Sequence, residues 1–320
     1  MFKHSKDEIS KLAKDTGFKS ETLEKVLRLI DVLKFINSNK ELNSCLVLKG
    51  GTAINFTIFN LPRLSVDIDL DFSLECSREE MLFKRKEISA ILIRYMNINN
   101  YTLSSGTKHS YALDSFVFNY NNNFGNKDNL KIEINYMNRI HIFNPVISKT
   151  SIDFLENFYV LTLNKYELYG SKIKALIERC TIRDLYDVYN MIKRNIFTKA
   201  ECRTIRKCTI FYIAISNLAS KNFDEIINDF YKNLEVFTTN KIPQYLSFTL
   251  KQSDGFTMKE AVSTVKRFIK HVFLPLSKSE ENFLILFKEK QYEPSLLFKK
   301  REIINRIKLH PMALWKISRT

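Results

Sequence analysis

The chain has few of the residues that break or brace a fold. Seven glycines and six prolines spread over 320 residues leave little room for long irregular linkers. Five cysteines, at 45, 76, 180, 202 and 208, form no CxxC pair, and their odd number excludes a complete disulfide framework, so we read them as reduced and structural. The five histidines, at 4, 109, 141, 271 and 310, lack the spacing of zinc ligands. Neither a GxSxG elbow nor a Walker A loop is present. No charge-free apolar run approaches the length of a membrane span, and MFKHSKDEISK lacks the apolar stretch of a secretory signal. The expectation is a soluble, cytoplasmic protein with no membrane partner. Acids are scarce in one half only: residues 188–320 hold 24 Lys and Arg against 12 Asp and Glu, whereas residues 1–187 hold 26 against 23. The formal charge of +15 is therefore mostly C-terminal. Such a field attracts polyanions, nucleic acid first, and its plain alternative is a solvated lysine-rich surface.

What is present is ordinary globular composition, 45% hydrophobic and 27% charged, in a chain long enough for two domains. Residues 20–38 read as a helix, with Ser20 as its cap, Glu21 and Glu24 in the first turn, and Leu23, Val26, Leu27, Ile30 and Leu33 at helical spacing. CLVLKG (45–50) then reads as a buried strand ended by glycine, and TAINFTIFN as a helix entered at Thr52. SVDIDLDF alternates: Val66, Ile68, Leu70 and Phe72 take one face, Ser65, Asp67, Asp69 and Asp71 the other. Residues 111–118 and 129–136 alternate again around the Asn-rich NYNNNFGNKD, a hairpin that puts Glu133 on a strand face. From about residue 160 the helical period dominates, over 165–193, 212–235, 257–273 and 279–290. The expected class is α+β: a domain with a small mixed sheet over residues 1–160, followed by a mostly helical basic domain over 161–320.

A strand that ends in Gly-Gly and opens a helix leaves unpaired N–H groups where a phosphate can approach closely. Adjacent same-face carboxylates repel one another, so Asp67, Asp69 and Asp71 together require a reason, and a divalent cation supplies one. Phosphate cradle, short helix and carboxylate strand describe a metal-dependent site for a nucleoside triphosphate. Lys172 lies 15 positions before Asp187, so one helix would place both on a similar face. A break near Cys180 and Thr181 would instead bring two helices together. Lys174 and Asp184 are alternatives for these roles, and an exposed helix with ordinary i,i+4 charge pairs is the bland reading.

KGGTAINF followed by RLSVDIDLDF resembles the signature of the AbiEii family of bacterial nucleotidyltransferase toxins, which carry a polymerase-β-like nucleotidyltransferase fold. KIKALIERCTIRDLYDVYNM (172–191) is similar to that family's later motifs, a lysine in KxxA and an RDxxD helix, and HPMALWK (310–316) to its C-terminal pattern. The resemblance implies that Gly50, Gly51 and Thr52 hold nucleotide phosphates, and that Asp67 and Asp69 bind Mg²⁺, with Mn²⁺ as an alternative. It further implies that Ser65 points toward the γ-phosphate end or the metal-bound water, that Arg63 is a structural or phosphate contact, and that Lys172 and Asp187 serve catalysis. Glu133 is placed like a third metal carboxylate, and Asp71 is read as outside the metal's direct ligands or solvated. The implied reaction moves a nucleoside monophosphate from an NTP to RNA, above all the 3′ end of tRNA. The implied partner is a cognate AbiEi-type antitoxin. A protein or small-molecule acceptor is the alternative, and it would need no basic second domain.

Overall fold

The computed structural model describes residues 2–318. The chain forms two compact units, and the division is not a single cut. The first contains the residues as far as Arg139, then Pro145–Leu163 and Ser247–Asp254; the second contains Ile140–Asn144, Asn164–Leu246 and the chain from Gly255 onward.

The first unit is built on one mixed sheet. Its strands are β1 (Leu46–Lys49), β2 (Asp67–Phe72), β3 (Thr102–Leu103), β4 (Lys108–His109), β5 (Leu113–Asn121), β6 (Lys127–Asn135), β7 (Val146–Lys149) and β8 (Tyr159–Thr162). They lie in the order β3-β5-β6-β2-β1-β8-β7, with β4 also against β5. β2 is antiparallel to β1 and parallel to β6. Ile68, Leu70 and Phe72 are buried in the core, the outcome the period-2 pattern demands of a strand with one apolar face. The hairpin strands run further into the Asn-rich segment than their alternation indicated, because the turn is tight. The Asn122 carboxamide oxygen accepts the N–H groups of Phe124 and Asn126, and Gly125 takes φ +87°. β7 and β8 escaped the sequence reading, being four residues each.

The helices of this unit, among the described residues, include α1 (Lys6–Thr16), α2 (Ser20–Ser38), α3 (Lys40–Asn43), α4 (Gly50–Thr57) and α5 (Arg78–Ile98). α2 has the expected bounds, although Lys19 rather than Ser20 holds the cap position. α4 starts at Gly50, two residues earlier than read. α5 was not anticipated; it buries only Met81, Ile88, Leu92 and Met96, a thin stripe on a charged helix, and its signal is the capping box of Ser77 and Glu80.

The second unit is helical, beginning with α6 (Lys165–Arg179), α7 (Ile182–Lys193), α8 (Lys199–Ala214) and α9 (Phe223–Val236). The single helix considered for 165–193 is broken: Cys180 adopts the left-handed conformation, φ +46°, and Thr181 caps α7 by accepting the Asp184 N–H. The helix expected over 212–235 is really the end of α8, a short 3₁₀ turn and α9. α6 and α8 pack so closely at Gly170 that a Cβ there would collide with the Cys208 side chain, and Thr209 Oγ1 donates to the Gly170 carbonyl at 3.1 Å. Phe211, Phe283, Leu297 and Ile307 anchor the core of this unit. The buried Glu167 carboxylate ties residues 140–144 into it, accepting the N–H groups of Ile142 and Phe143 and the Tyr212 hydroxyl. Among the described residues no helix is long and apolar enough to cross a membrane.

Candidate active site

In the first unit the β1–α4 junction and β2 form one constellation. Gly50 adopts φ +69°, a region that L side chains rarely occupy, and a Cβ added there would run into the Asp69 carboxylate. A Cβ on Gly51 would lie 2.8 Å from Arg63 Nη2 and 3.2 Å from Ser65 Oγ. The glycine pair is thus a requirement of close approach: the start of α4 sits directly on Asp69, Arg63 and Ser65. Arg63 is buried, and its Nη1 donates to the Leu64 carbonyl at 3.1 Å. The Thr52 hydroxyl is fully buried; it donates to the Asp67 carbonyl and lies 2.8 Å from Ser65 Oγ. Its side chain therefore fastens α4 to β2, and the first turn of α4 offers a phosphate its backbone N–H groups.

Asp67 and Asp69 share the half-buried outer face of β2. Register sets their neighbours. Lys49 of β1 lies across from Asp69, and on β6 Lys131 and Glu133 lie across from Asp67 and Asp69. Glu133 is engaged with the Lys131 ammonium at 2.7 Å and the Ser115 hydroxyl at 3.0 Å. Burial works against the Lys131 charge, but Glu133, and then Asp67 and Asp69, hold its pKa above the ordinary lysine value. Asp71 is not solvated: its side chain is 2% exposed and meets Lys49 Nζ at 2.5 Å. Burial pushes its carboxyl up, with Lys49 opposing.

The chemistry of this face fits a hard divalent cation. Among the described residues no group of three or more His, Cys, Asp or Glu forms a cage. A cation would take Asp67 and Asp69 and complete its shell with phosphate oxygens and water, which is how Mg²⁺ is commonly bound.

The second unit carries a separate cluster. Lys172 on α6 is 8% exposed and lies between two carboxylates of α7, 3.0 Å from Asp184 Oδ1 and 2.9 Å from Asp187 Oδ2. Arg179 and the Thr181 hydroxyl also donate to Asp184, each at 2.7 Å. Burial alone would raise the Asp184 carboxyl, but Lys172, Arg179 and Thr181 hold it well below the usual carboxylate range. Lys174 instead pairs with Glu178 along its own helix at 2.6 Å, so Lys172 is the lysine that meets both aspartates. Reading the sequence missed Lys49, Lys131 and Ser115 as neighbours of the acidic face. Their only signal is cross-strand register, which spacing along one strand does not reveal.

The family model described as nucleotidyl transferase AbiEii toxin, type IV toxin-antitoxin system, matches residues 32–252, which takes in both clusters and ends before HPMALWK. Among solved structures, MenT4, a nucleotidyltransferase toxin from Mycobacterium tuberculosis H37Rv, is similar over 96% of this chain and 99% of its own, with TM-score 0.60 and 12% identity, a likeness of fold. The Cid1 poly(U) polymerase aligns over 84% of this chain and 75% of its own at 10% identity, but its TM-score of 0.25 supports no structural argument. No curated protein sequence matches significantly. A nucleotidyltransferase of this kind uses an NTP and divalent metal ions, and a type IV system implies an antitoxin partner. A family match across more than two thirds of the chain, over a glycine turn seated on a three-aspartate strand, settles its membership: the chain belongs to the AbiEii family of nucleotidyltransferase toxins.

Proposed function

We propose that this enzyme transfers a nucleoside monophosphate from an NTP to RNA, with the 3′ end of tRNA as acceptor and Mg²⁺ as the metal. The observation that carries this reading is the seating of the Gly50–Gly51 turn against Asp69, Arg63 and Ser65, which supports it because the N–H groups at the start of α4 then lie beside the Asp69 carboxylate. The N–H groups at the start of α4 would receive the triphosphate oxygens, and Arg63 would offset their charge. Asp67 and Asp69 would hold Mg²⁺, which when bound lowers the pKa of the acceptor hydroxyl and stabilises charge on the α-phosphorus. The acceptor 3′ hydroxyl gives up its proton to water as its oxygen bonds to the α-phosphorus, the bond from that phosphorus to the bridging oxygen breaks, and pyrophosphate leaves. Lys172 and Asp187 retain the catalytic role that the family resemblance gives them, with Asp184 and Asp187 fixing the direction of the lysine. The basic residues 188–320 supply phosphate contacts to the RNA, which bind without reading sequence. Extending the tRNA 3′ end would block aminoacylation, and an AbiEi-type protein would be the antitoxin.

The test is to incubate the protein with total tRNA, Mg²⁺ and each α-labelled NTP, beside an Asp67→Ala/Asp69→Ala variant. Label in tRNA from a preferred NTP, absent with the variant, supports the proposal. Unlabelled RNA alongside a labelled protein or small molecule would move the acceptor to the alternative class.

A further inference from the structure

The first unit holds a cavity of about 420 Å³ between the N-terminal segment, α2 and the end of α5, and it shares no residue with the α4–β2 constellation. Its walls are aromatic and braced. Tyr95 is stacked on Phe35 with ring centroids 3.7 Å apart, Phe2 lies against the Arg28 guanidinium at 3.9 Å, and the Tyr101 hydroxyl accepts from Arg28 Nη1 at 3.2 Å. Asn123 Nδ2 donates to the His4 carbonyl at 2.7 Å, which fixes the segment that closes one side. Asp31 stands among these rings. Its backbone carbonyl accepts the Tyr95 hydroxyl at 3.4 Å, but among the described residues no donor or cation bonds to its half-buried carboxylate. Burial pushes that carboxyl up, and His4 and Lys34 oppose only through space. The Lys34 ammonium itself lies over the Phe158 ring. Water serves Asp31 while the cavity is open, so a ligand that displaces the water must bring its own donor. A full cation is a poor choice, because Lys3 and Lys34 line the cavity and Arg28 stands behind Phe2. The amino group of a nucleobase is a neutral donor on a flat ring that suits aromatic walls, and a phosphate on the same molecule suits the two lysines. We propose that this cavity binds a nucleotide with an amino-bearing base, adenine, cytosine or guanine, the amino group on Asp31, the ring against Tyr95 or Tyr101, and the phosphate toward Lys3 and Lys34. Uracil is excluded, since its one pairing N–H is flanked by carbonyl oxygens that the carboxylate repels. A free nucleotide and a nucleotide within single-stranded RNA share this chemistry, and neither needs the metal reading of Asp67 and Asp69.

Calorimetric titration of AMP, CMP, GMP and UMP into the full-length protein in EDTA reads this site out, with folding of each variant checked by circular dichroism. At least one of AMP, CMP and GMP is expected to bind about tenfold or more tighter than UMP, the order of a hydrogen bond to a charged group. The Asp67→Ala/Asp69→Ala variant is expected to bind it equally well. Asp31→Ala should erase the preference over UMP, and Lys34→Ala should weaken the nucleotide while leaving its nucleoside unchanged. Short oligo(A), oligo(C), oligo(G) and oligo(U) strands separate the sources: preference among mononucleotides identifies a free nucleotide as the ligand, and preference among strands alone identifies RNA. UMP and oligo(U) bound as well as the others, no binding by any of them, or a preference that survives Asp31→Ala would overturn the proposal. Binding lost in Asp67→Ala/Asp69→Ala would overturn it too, because the nucleotide would then sit at β2. Should Asp31→Ala fail to fold, Lys34→Ala, at an exposed position, decides the question. Failure to label tRNA in the earlier assay would remove the acceptor reading and leave this cavity's assignment standing.

Discussion

At the scale of single residues, the glycine turn is where backbone geometry and chemistry meet. Gly50 is bound by two independent constraints, a positive φ and an Asp69 carboxylate where a Cβ would stand. Gly50→Ala should therefore cost on the order of 1–3 kcal/mol in backbone strain and displace Asp69, lowering both the melting temperature and nucleotidyl transfer. Gly51 has ordinary helical φ, and its constraint is contact with Arg63 and Ser65 alone. Gly51→Ala should leave the melting temperature closer to wild type while still weakening NTP use, because Arg63 or Ser65 must shift. The two variants, compared by thermal unfolding and by KM for the NTP, separate conformational need from close approach. Thr52 shows the opposite lesson. Its position after the glycines reads as a phosphate contact, but a hydroxyl that is fully buried and donating to the Asp67 carbonyl acts first as a fastener.

At the scale of elements, the α6–α7 corner is held by charge at a helix break. Removing one partner from a buried ion pair typically costs about 3–5 kcal/mol, because the remaining charges stay desolvated. Asp184→Asn leaves Lys172 with Asp187 and removes the carboxylate charge that Arg179 meets, so a loss toward the low end of that range is expected at pH 7. The pH dependence follows from the direction of the Asp184 shift. Its folded carboxyl lies below the ordinary Asp value of about 3.9, so its contribution is complete above that pH and fades as pH falls toward the folded value. Melting curves at pH 7 and pH 3 should show the gap between wild type and Asp184→Asn narrowing at the lower pH; a constant gap would contradict the coupling. The same corner shows what the sequence discloses. α2 was legible because Leu23, Val26, Leu27, Ile30 and Leu33 repeat at helical spacing, and β2 because Ile68, Leu70 and Phe72 alternate with aspartates. The break at Cys180 was visible only as an option, since a non-glycine residue at positive φ has no compositional marker. The lysines that face Asp67 and Asp69 were hidden for a different reason: their placement belongs to pairings between segments that lie far apart in the chain.

At the scale of the whole molecule, the uneven charge is the feature that distinguishes an RNA acceptor from a small one. Within the second unit two basic clusters, Lys266 with Arg267 and Lys270, and Lys299 with Lys300 and Arg301, are not equivalent. Lys266 is paired with Glu235, whereas Lys299, Lys300 and Arg301 are exposed at the start of the helix Arg301–Lys308. Three cations at a helix N-terminus oppose the helix dipole and gain nothing from it, so they suit an anion supplied from outside. Neutralising RNA phosphates releases counterions, and log K falls with log salt concentration by roughly 0.7–0.9 per contact. Replacing Lys299, Lys300 and Arg301 together by alanine should weaken tRNA binding at low salt and flatten that slope by roughly 2 to 3. Affinity should fall by similar factors for unrelated RNA sequences, because phosphate contacts carry no base identity. If Asp67 and Asp69 hold the metal as proposed, Mn²⁺ binding should stay at the wild-type value. A slope unchanged by the triple substitution would remove this cluster from the RNA footprint and leave Arg267 and Lys270, both exposed, as the next pair to replace.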